Sequence, residues 1–290
     1  MFFLNMKKNL KKVFSINLEP GYRNYTVKDL IDLKGKKKLT QIFVSSVEEA
    51  AAAEEAKIDL ILAKPSIELR KIREAASKTF MTVAIPFIHY SSQNDIVKKA
   101  LEIVEIGADS IHCGSWNLNF MKHLNDFKIP FQGHAGLVPR RSTWIGGVRA
   151  YGRKSLEAIQ IYKDIKDIEN TGAWGVEIEC VPEKVVGLIT QSTSLVTLSI
   201  GAGARSDVQF LFAEDILGCS SIDTPRHAKS YRNFKKIYID IQKERVNAFK
   251  EFKKDVVANI FPQKKNIIGI EKNELNSFKI FLKTQDNIKL

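Results

Sequence analysis

The chain has 290 residues, 44% of them hydrophobic, which suffices for a large core and for an α/β barrel in one domain. Its three cysteines (Cys113, Cys180, Cys219) form no CxxC pair, and no His/Cys cluster has zinc spacing; a disulfide framework and structural zinc are excluded, and a reducing cytosol fits. The formal net charge of +12 comes from lysines scattered at both ends, without a zinc finger, RNP-like motif or basic heptad helix. Nucleic acid is therefore not an expected partner, while anionic small molecules remain open. The opening MFFLNMKKNLKKVF lacks the apolar run of a signal peptide, and no later stretch approaches about 18 uncharged apolar residues. A cytoplasmic protein with no membrane partner is expected.

In chain order, residues 1–25 read as an N-terminal arm. A short helix follows from Thr26 to Leu33, with Thr26 as its cap and Lys34-Gly35-Lys36 as its end. Strands are predicted at Leu39–Val44, Ile58–Ala63, Met81–Ile85, Ser110–Cys113 and Ile129–Gly133. Helices are predicted between them at Val47–Ala56, Ile67–Ser77, about Asn94–Ile106 and about Trp116–Asp126. A loop from His134 to Arg153 is long for a connector and rich in glycine and arginine. A helix at Lys154–Thr171 leads into a strand ending on Glu179, a helix from Pro182 to about Gln191, and a strand at Leu195–Ile200 that stops at Gly201-Ala202-Gly203. Val208 to Leu217 supplies an eighth strand less clearly, and the tail beyond Lys235 reads as helical, then irregular and lysine-rich.

Strands alternating with helices in this number predict a (β/α)8 barrel over 26–235, with a C-terminal extension over 236–290; a doubly wound sheet is the alternative. In a parallel barrel the carboxyl ends of the strands share one mouth. Lys64 and Ser66, His89, His112, His134 and Glu179 would meet there, a set suited to proton transfer beside a carbonyl. Each has a plainer account. Lys64 can be solvated, His89 a loop residue, and His112 and His134 structural hydrogen bonders, while Glu179 can cap the helix after Pro182. The glycine turn at 201–203 can approach an anion or simply make a tight turn. No pair of carboxylates stands at metal-ligand separation among these positions, so no Mg²⁺ site is indicated.

Taken together, TVKDLIDLKGKKKLT (26–40), GHAGLVP (133–139), GGVRAYGR (146–153), IECVPEKV (178–185), SIGAGARSDVQ (199–209), EDILG (214–218) and PRHAKSY (225–231) form an ordered set that resembles the ketopantoate hydroxymethyltransferase family. The resemblance implies a (β/α)8 barrel of the phosphoenolpyruvate/pyruvate superfamily and a homo-oligomer. It implies Mg²⁺ held by strand-end aspartates, and transfer of a hydroxymethyl group from methylenetetrahydrofolate to the enolate of 2-oxoisovalerate. Glu179 matches the family's catalytic glutamate and His134 the histidine of its GH-GL-P loop.

Other positions depart from the family. Its V-G-D-S motif reads Ala63-Lys64-Pro65-Ser66, and its A-D-L/M-P-F motif reads Val83-Ala84-Ile85-Pro86-Phe87, so both metal aspartates are lost, at Pro65 and Ala84. The substrate-binding lysine corresponds to His112 and the acidic residue after it to Gly114, and another acidic position is Ser46. The connector between Ser66 and Val83 is shorter by roughly twenty residues, a place where functional lids occur. The expectation is therefore C–C bond chemistry on a small 2-oxo acid without the usual Mg²⁺ site. Glu179 would be catalytic, and Lys64, Ser66, His112 and His134 would bind substrate, with Lys64, His112 or His89 supplying positive charge. The alternative is a non-catalytic barrel that binds a small carboxylate or serves a regulatory or structural role.

Overall fold

Short apolar and β-branched runs such as LILA at Leu60–Ala63 and VTLSI at Val196–Ile200 make strands buried on both faces, which a parallel sheet requires. The structure, a computed structural model, describes residues 10–16, 18–86, 89–114, 117–220 and 224–285. Phe87 of the departing motif, Trp116, parts of the N-terminal arm and the last five residues lie outside the described residues.

After a hairpin of β1 (Lys11–Phe14) and β2 (Pro20–Arg23) comes helix α1 (Val27–Leu33), capped as expected by Thr26, which forms a capping box with Asp29. Eight parallel strands follow: β3 (Leu39–Phe43), β4 (Leu60–Ala63), β5 (Phe80–Ala84), β6 (Ser110–His112), β7 (Phe131–Gly136), β8 (Gly175–Glu179), β9 (Val196–Ile200) and β10 (Val208–Phe212). Strand β10 pairs with β9 on one side and with β3 on the other, which closes the sheet into a barrel and excludes the doubly wound alternative. Helices α2 (Val47–Glu55), α3 (Leu69–Ala75), α4 (Gln93–Glu105), α5 (Leu118–Asp126), α7 (Ser155–Glu169) and α8 (Glu183–Ser192) link successive strands. A short α6 (Ser142–Ile145) lies in the loop before α7, and β9 passes to β10 through 201–207 without a helix. The eighth element is a strand to Phe212 followed by a five-residue helix, α9 (Ala213–Leu217).

Inside the barrel, Leu39, Leu60, Phe80, Trp174, Val196, Leu198 and Val208 pack into one apolar plug. The Trp174 indole stands edge-on to Phe80 and donates Nε1–H to Ser110 Oγ at 2.7 Å, so its polar atom is satisfied in the core. A second cluster of Leu62, Ile200 and Phe210 packs with Phe43, Ala84 and Phe212.

The amino-terminal ends of the strands carry acids with full sets of donors. Asp109, just before β6, accepts from Arg23 Nε (2.7 Å), Arg73 Nη1 (3.1 Å) and Met81 N (2.9 Å). Asp207, just before β10, accepts from Thr197 N (2.9 Å), Lys34 Nζ (3.0 Å) and Gly35 N (3.0 Å). Arg23 thereby ties the N-terminal hairpin to the barrel, and α1 is held through Lys34.

The chain from Phe234 onward is a separate compact unit. It consists of α10 (Phe234–Val257), an irregular stretch and α11 (Lys272–Gln285), so its second half is helical where irregular chain was expected.

Arg73 is 6% exposed and depends on Asp109 for its charge partner. Asp109→Ala is expected to lower stability by about 3 kcal/mol, because it strands a buried guanidinium. Urea denaturation followed by circular dichroism measures this, and an unchanged midpoint would show that Asp109 does not hold Arg73.

Candidate functional site

Strand β8 reads Gly175-Val176-Glu177-Ile178-Glu179, with apolar and acidic residues alternating. Side chains alternate between faces along a strand, so Glu177 and Glu179 share one face while Val176 and Ile178 pack outward into the helix layer. The register of β7 with β8 sets His134 opposite Glu177, and their side chains emerge on the same, inner face. On β6, His112 is in register with Gln132 of β7 and with Ala84 of β5, again on that face.

His134 therefore lies within β7 and not in the loop after it, as the sequence led one to expect. The strand runs on to Gly136 because Gly136, at φ +88°, lets the backbone approach β8 where a Cβ would stand 2.4 Å from the Glu179 carbonyl oxygen. Leu137 N donates to that same carbonyl at 2.8 Å. Gly133 permits a second close approach: a Cβ there would meet Ile168 of α7 at 2.7 Å. The GHAG run is thus packed against its neighbours on both sides.

Four titratable side chains converge. His134 Nε2 is 3.1 Å from Glu179 Oε2 and 3.8 Å from Glu177 Oε1, and His112 Nδ1 is 3.7 Å from Glu177 Oε2. The two imidazole rings are 5.6 Å apart, and Gln132 Nε2 donates to His112 Nδ1 at 3.1 Å. Glu177 is 6% exposed, whereas the Glu179 side chain keeps 19% of its surface open.

Electrostatics separate these groups. Burial and the charge of His134 push His112 from 6.5 down to about 3, so His112 is neutral and does not supply the positive charge expected of it. Burial also opposes a charged His134. The charge of Glu177, together with the hydrogen bond and charge of Glu179, outweighs that opposition and holds His134 above its ordinary value. Burial raises Glu177 to about 7, with His134 pulling it down and Glu179 adding to the rise.

A cavity of about 310 Å³ opens beside this cluster, lined among others by Lys64, Pro65, Ala84, His112, His134 and Arg140. Lys64 Nζ stands 5.1 Å over the Phe43 ring at its edge. Ser66 is exposed, is not part of the cavity lining, and accepts the Leu69 amide through its carbonyl in the turn opening α3. His89 is exposed beside Tyr90 and also stays out of the cavity lining. Beside the glycine turn at 201–203, the Gly203 carbonyl accepts from Ser199 Oγ at 3.0 Å and the next amide, Ala204 N, donates to Glu183 Oε1 at 3.1 Å.

Two groups at the site escaped sequence reasoning: Glu177 and Arg140. The signal for Glu177 was the alternation itself, since a strand buried on both faces should read as continuously apolar. Cys180, directly after Glu179, adopts φ +51°, a costly conformation for a residue with a Cβ and one that clusters at functional sites.

The model of a family described as ketopantoate hydroxymethyltransferase matches residues 66–264. A 3-methyl-2-oxobutanoate hydroxymethyltransferase of Kosmotoga olearia is 30% identical over 83% of this chain and 96% of its own length. One from Pyrococcus furiosus is 29% identical over 84% of this chain and 92% of its own. Among solved structures, a candidate phosphonomutase from Burkholderia cenocepacia superposes with a TM-score of 0.50 at 10% identity, over 78% of this chain and all of that one; it shares the fold.

The neutrality of His112 has a consequence for stability. Its folded value of about 3 lies below the ordinary 6.5, so between these values the unfolded chain binds a proton that the folded chain does not. That contribution to stability is present above pH 6.5 and is lost as pH falls, at about 1.4 kcal/mol per pH unit. His112→Gln is expected to flatten the loss of stability between pH 6.5 and 4 by that slope. Chemical denaturation across this range tests it, and parallel curves for the two proteins would refute it.

Proposed function

The chain belongs to the ketopantoate hydroxymethyltransferase family, and on that premise we propose that it makes or breaks a C–C bond next to the carbonyl of a small 2-oxo acid. Hydroxymethyl transfer to 2-oxoisovalerate, the reaction after which its relatives are named, is the first substrate pair to try, with methylenetetrahydrofolate as the one-carbon donor. The observation that carries this reading is the contact between Glu179 and His134 beside a cavity that is cationic at one edge and apolar elsewhere. A bound 2-oxo acid would set its carboxylate against Lys64 and Arg140 and its carbonyl oxygen toward His134. Glu179 would take the proton from the neighbouring carbon; the C–H electron pair moves into a C=C bond and the carbonyl pair onto oxygen, giving the enolate. Its carbon would bond to the one-carbon unit as the two C–N bonds of the folate break with their electron pairs to nitrogen. Water supplies the hydroxyl, and the protons of Glu179 and water go to those nitrogens.

Mg²⁺ does not fit the residues present. Pro65 and Ala84 line the cavity where the resemblance implies metal-binding aspartates, and neither side chain offers an oxygen. His134, Glu177 and Glu179 bring ligand-type atoms within 4.8 Å of one another. Mg²⁺ prefers an octahedron of oxygens with several waters retained, which a buried imidazole between two carboxylates does not supply. The steps proposed above use the chain's own residues alone.

Glu179→Gln is expected to lower kcat by about 10²–10⁴-fold with the fold intact, the usual contribution of a general acid or base. A variant with full kcat on the active 2-oxo acid would remove Glu179 from the mechanism. Lys64→Ala is expected to raise KM for the 2-oxo acid with little change in kcat, since it removes a contact made equally in ground and transition states. A Lys64→Ala enzyme with unchanged KM would place the carboxylate elsewhere.

A further inference from the structure

The acids of this barrel fall into two kinds. Asp207 accepts from two backbone N–H groups, the Thr197 hydroxyl and Lys34, and Asp109 from two arginines and a backbone N–H. Glu177 is buried as deeply, yet Oε2 accepts no hydrogen bond among the described residues, and its nearest charged or ring partners are the imidazoles of His112 and His134 at 3.7 and 3.8 Å. Gln132 Oε1, on the neighbouring strand, is likewise buried without a donor. A buried carboxylate so poorly bonded costs stability, and a purely structural role would favour a well-packed apolar residue in its place.

We propose that Glu177 is a positioning residue for the chemistry of this site: together with Glu179 it clamps His134 as an imidazolium beside the cavity, so that an internal cation takes the place of the metal charge that Pro65 and Ala84 cannot hold. The inference rests on the functional reading above and goes beyond it by naming what stabilises the enolate.

The charge balance is consistent. Above about pH 7, where Glu177 has lost its proton, the cluster of two carboxylates and a protonated His134 carries one net negative charge. When Glu179 accepts the substrate's proton the cluster becomes neutral, and the imidazolium, now paired with Glu177 alone, faces the new oxyanion in a site screened from water. The groups around His134 are Glu177 and Glu179 from β8, neutral His112 from β6, Gln132 from its own strand, and Lys64 and Arg140 from the cavity wall. Of these, only the two glutamates favour the charged ring. The raised value of His134 agrees with this arrangement.

The test uses the full-length protein labelled with ¹⁵N at histidine; the chain has five histidines, assigned by single substitution. In the wild type, His134 is expected to keep its proton above the ordinary imidazole range. In Glu177→Gln its pKa is expected to fall by at least about one unit, the effect of removing an opposite charge within 4–6 Å. Glu177→Asp, which keeps the charge, should restore much of the shift and stands in should the Gln variant fail to fold. With turnover on a 2-oxo acid in hand, Glu177→Gln should lower kcat by about 10²-fold at nearly constant KM. The alkaline limb of its pH profile should move down with His134, and exhaustive chelation should leave the wild-type rate unchanged.

Several results would overturn the proposal. They are a wild-type His134 that titrates at or below the ordinary value, a Glu177→Gln variant with an unmoved His134 or an unmoved pH profile, and a rate that chelation abolishes and a divalent ion restores. Each of these can occur with an active wild type, and then the functional reading stands while the role of Glu177 falls. A wild type that turns over no 2-oxo acid sinks the functional reading itself, and with it this inference.

Discussion

The parallel register of β7 on β8 is the constraint on which the site depends. Setting His134 opposite Glu177 puts an imidazole and a carboxylate on adjacent strands of the inner face, and the two-residue period of β8 adds Glu179 one step nearer the carboxyl end. A slip of one residue would point all three into the helix layer, where Ile161, Ile165 and Ile168 of α7 lie fully buried. The register is held from outside as much as from within. Gly133 lets Ile168 close against β7, and Gly136 lets β7 close against the Glu179 carbonyl.

Polar groups are distributed along the barrel axis in a way that separates stability from chemistry. Asp59, Asp109 and Asp207 precede strands β4, β6 and β10, and they tie together backbone and basic side chains around the amino-terminal rim. Toward the carboxyl ends the polar groups are His112, His134, Glu177 and Glu179, and burial displaces the titration of His112 downward and of Glu177 upward. Active sites of such barrels lie at this end, and displaced titration is a mark of functional groups. The backbone strain at Cys180 adds to that picture, because it follows Glu179 directly and is fixed by hydrogen bonds from Cys180 N to Ile200 and from Tyr151 N to the Cys180 carbonyl.

One side of the mouth presents Pro65 and Ala84, whose side chains offer no oxygen, and Glu177 stands on the other. A cavity flanked by Pro65 and Ala84 is drier and less negative than one flanked by two aspartates. That weakens any hold on a hard divalent ion and strengthens the reach of an internal charge. Lys64, over the Phe43 ring, and Arg140 make the edge of the same cavity attractive to a small anion.

The amino-acid sequence by itself determined the barrel, the family and the position of Glu179 at a strand end, because these follow from local signals. Apolar runs of strand length, capped helices and a glycine stop after Ile200 are readable without knowing any neighbour. It also placed proline at 65 and alanine at 84, and residue identity alone decides that neither side chain can donate an oxygen. Only the tertiary structure decided that β7 extends through His134, that Ser66 and His89 stay out of the cavity lining, and that burial pushes His112 down while neighbouring carboxylates hold His134 up. Each of these depends on pairing across strands. A histidine's charge is set by the sum of burial and neighbouring charges, and those neighbours lie far off in sequence: Glu177 and Glu179 for one ring, Gln132 and His134 for the other. Glu177 is the sharpest case: its alternation with Val176 and Ile178 was visible, but that it faces inward became plain only when the barrel closed around it.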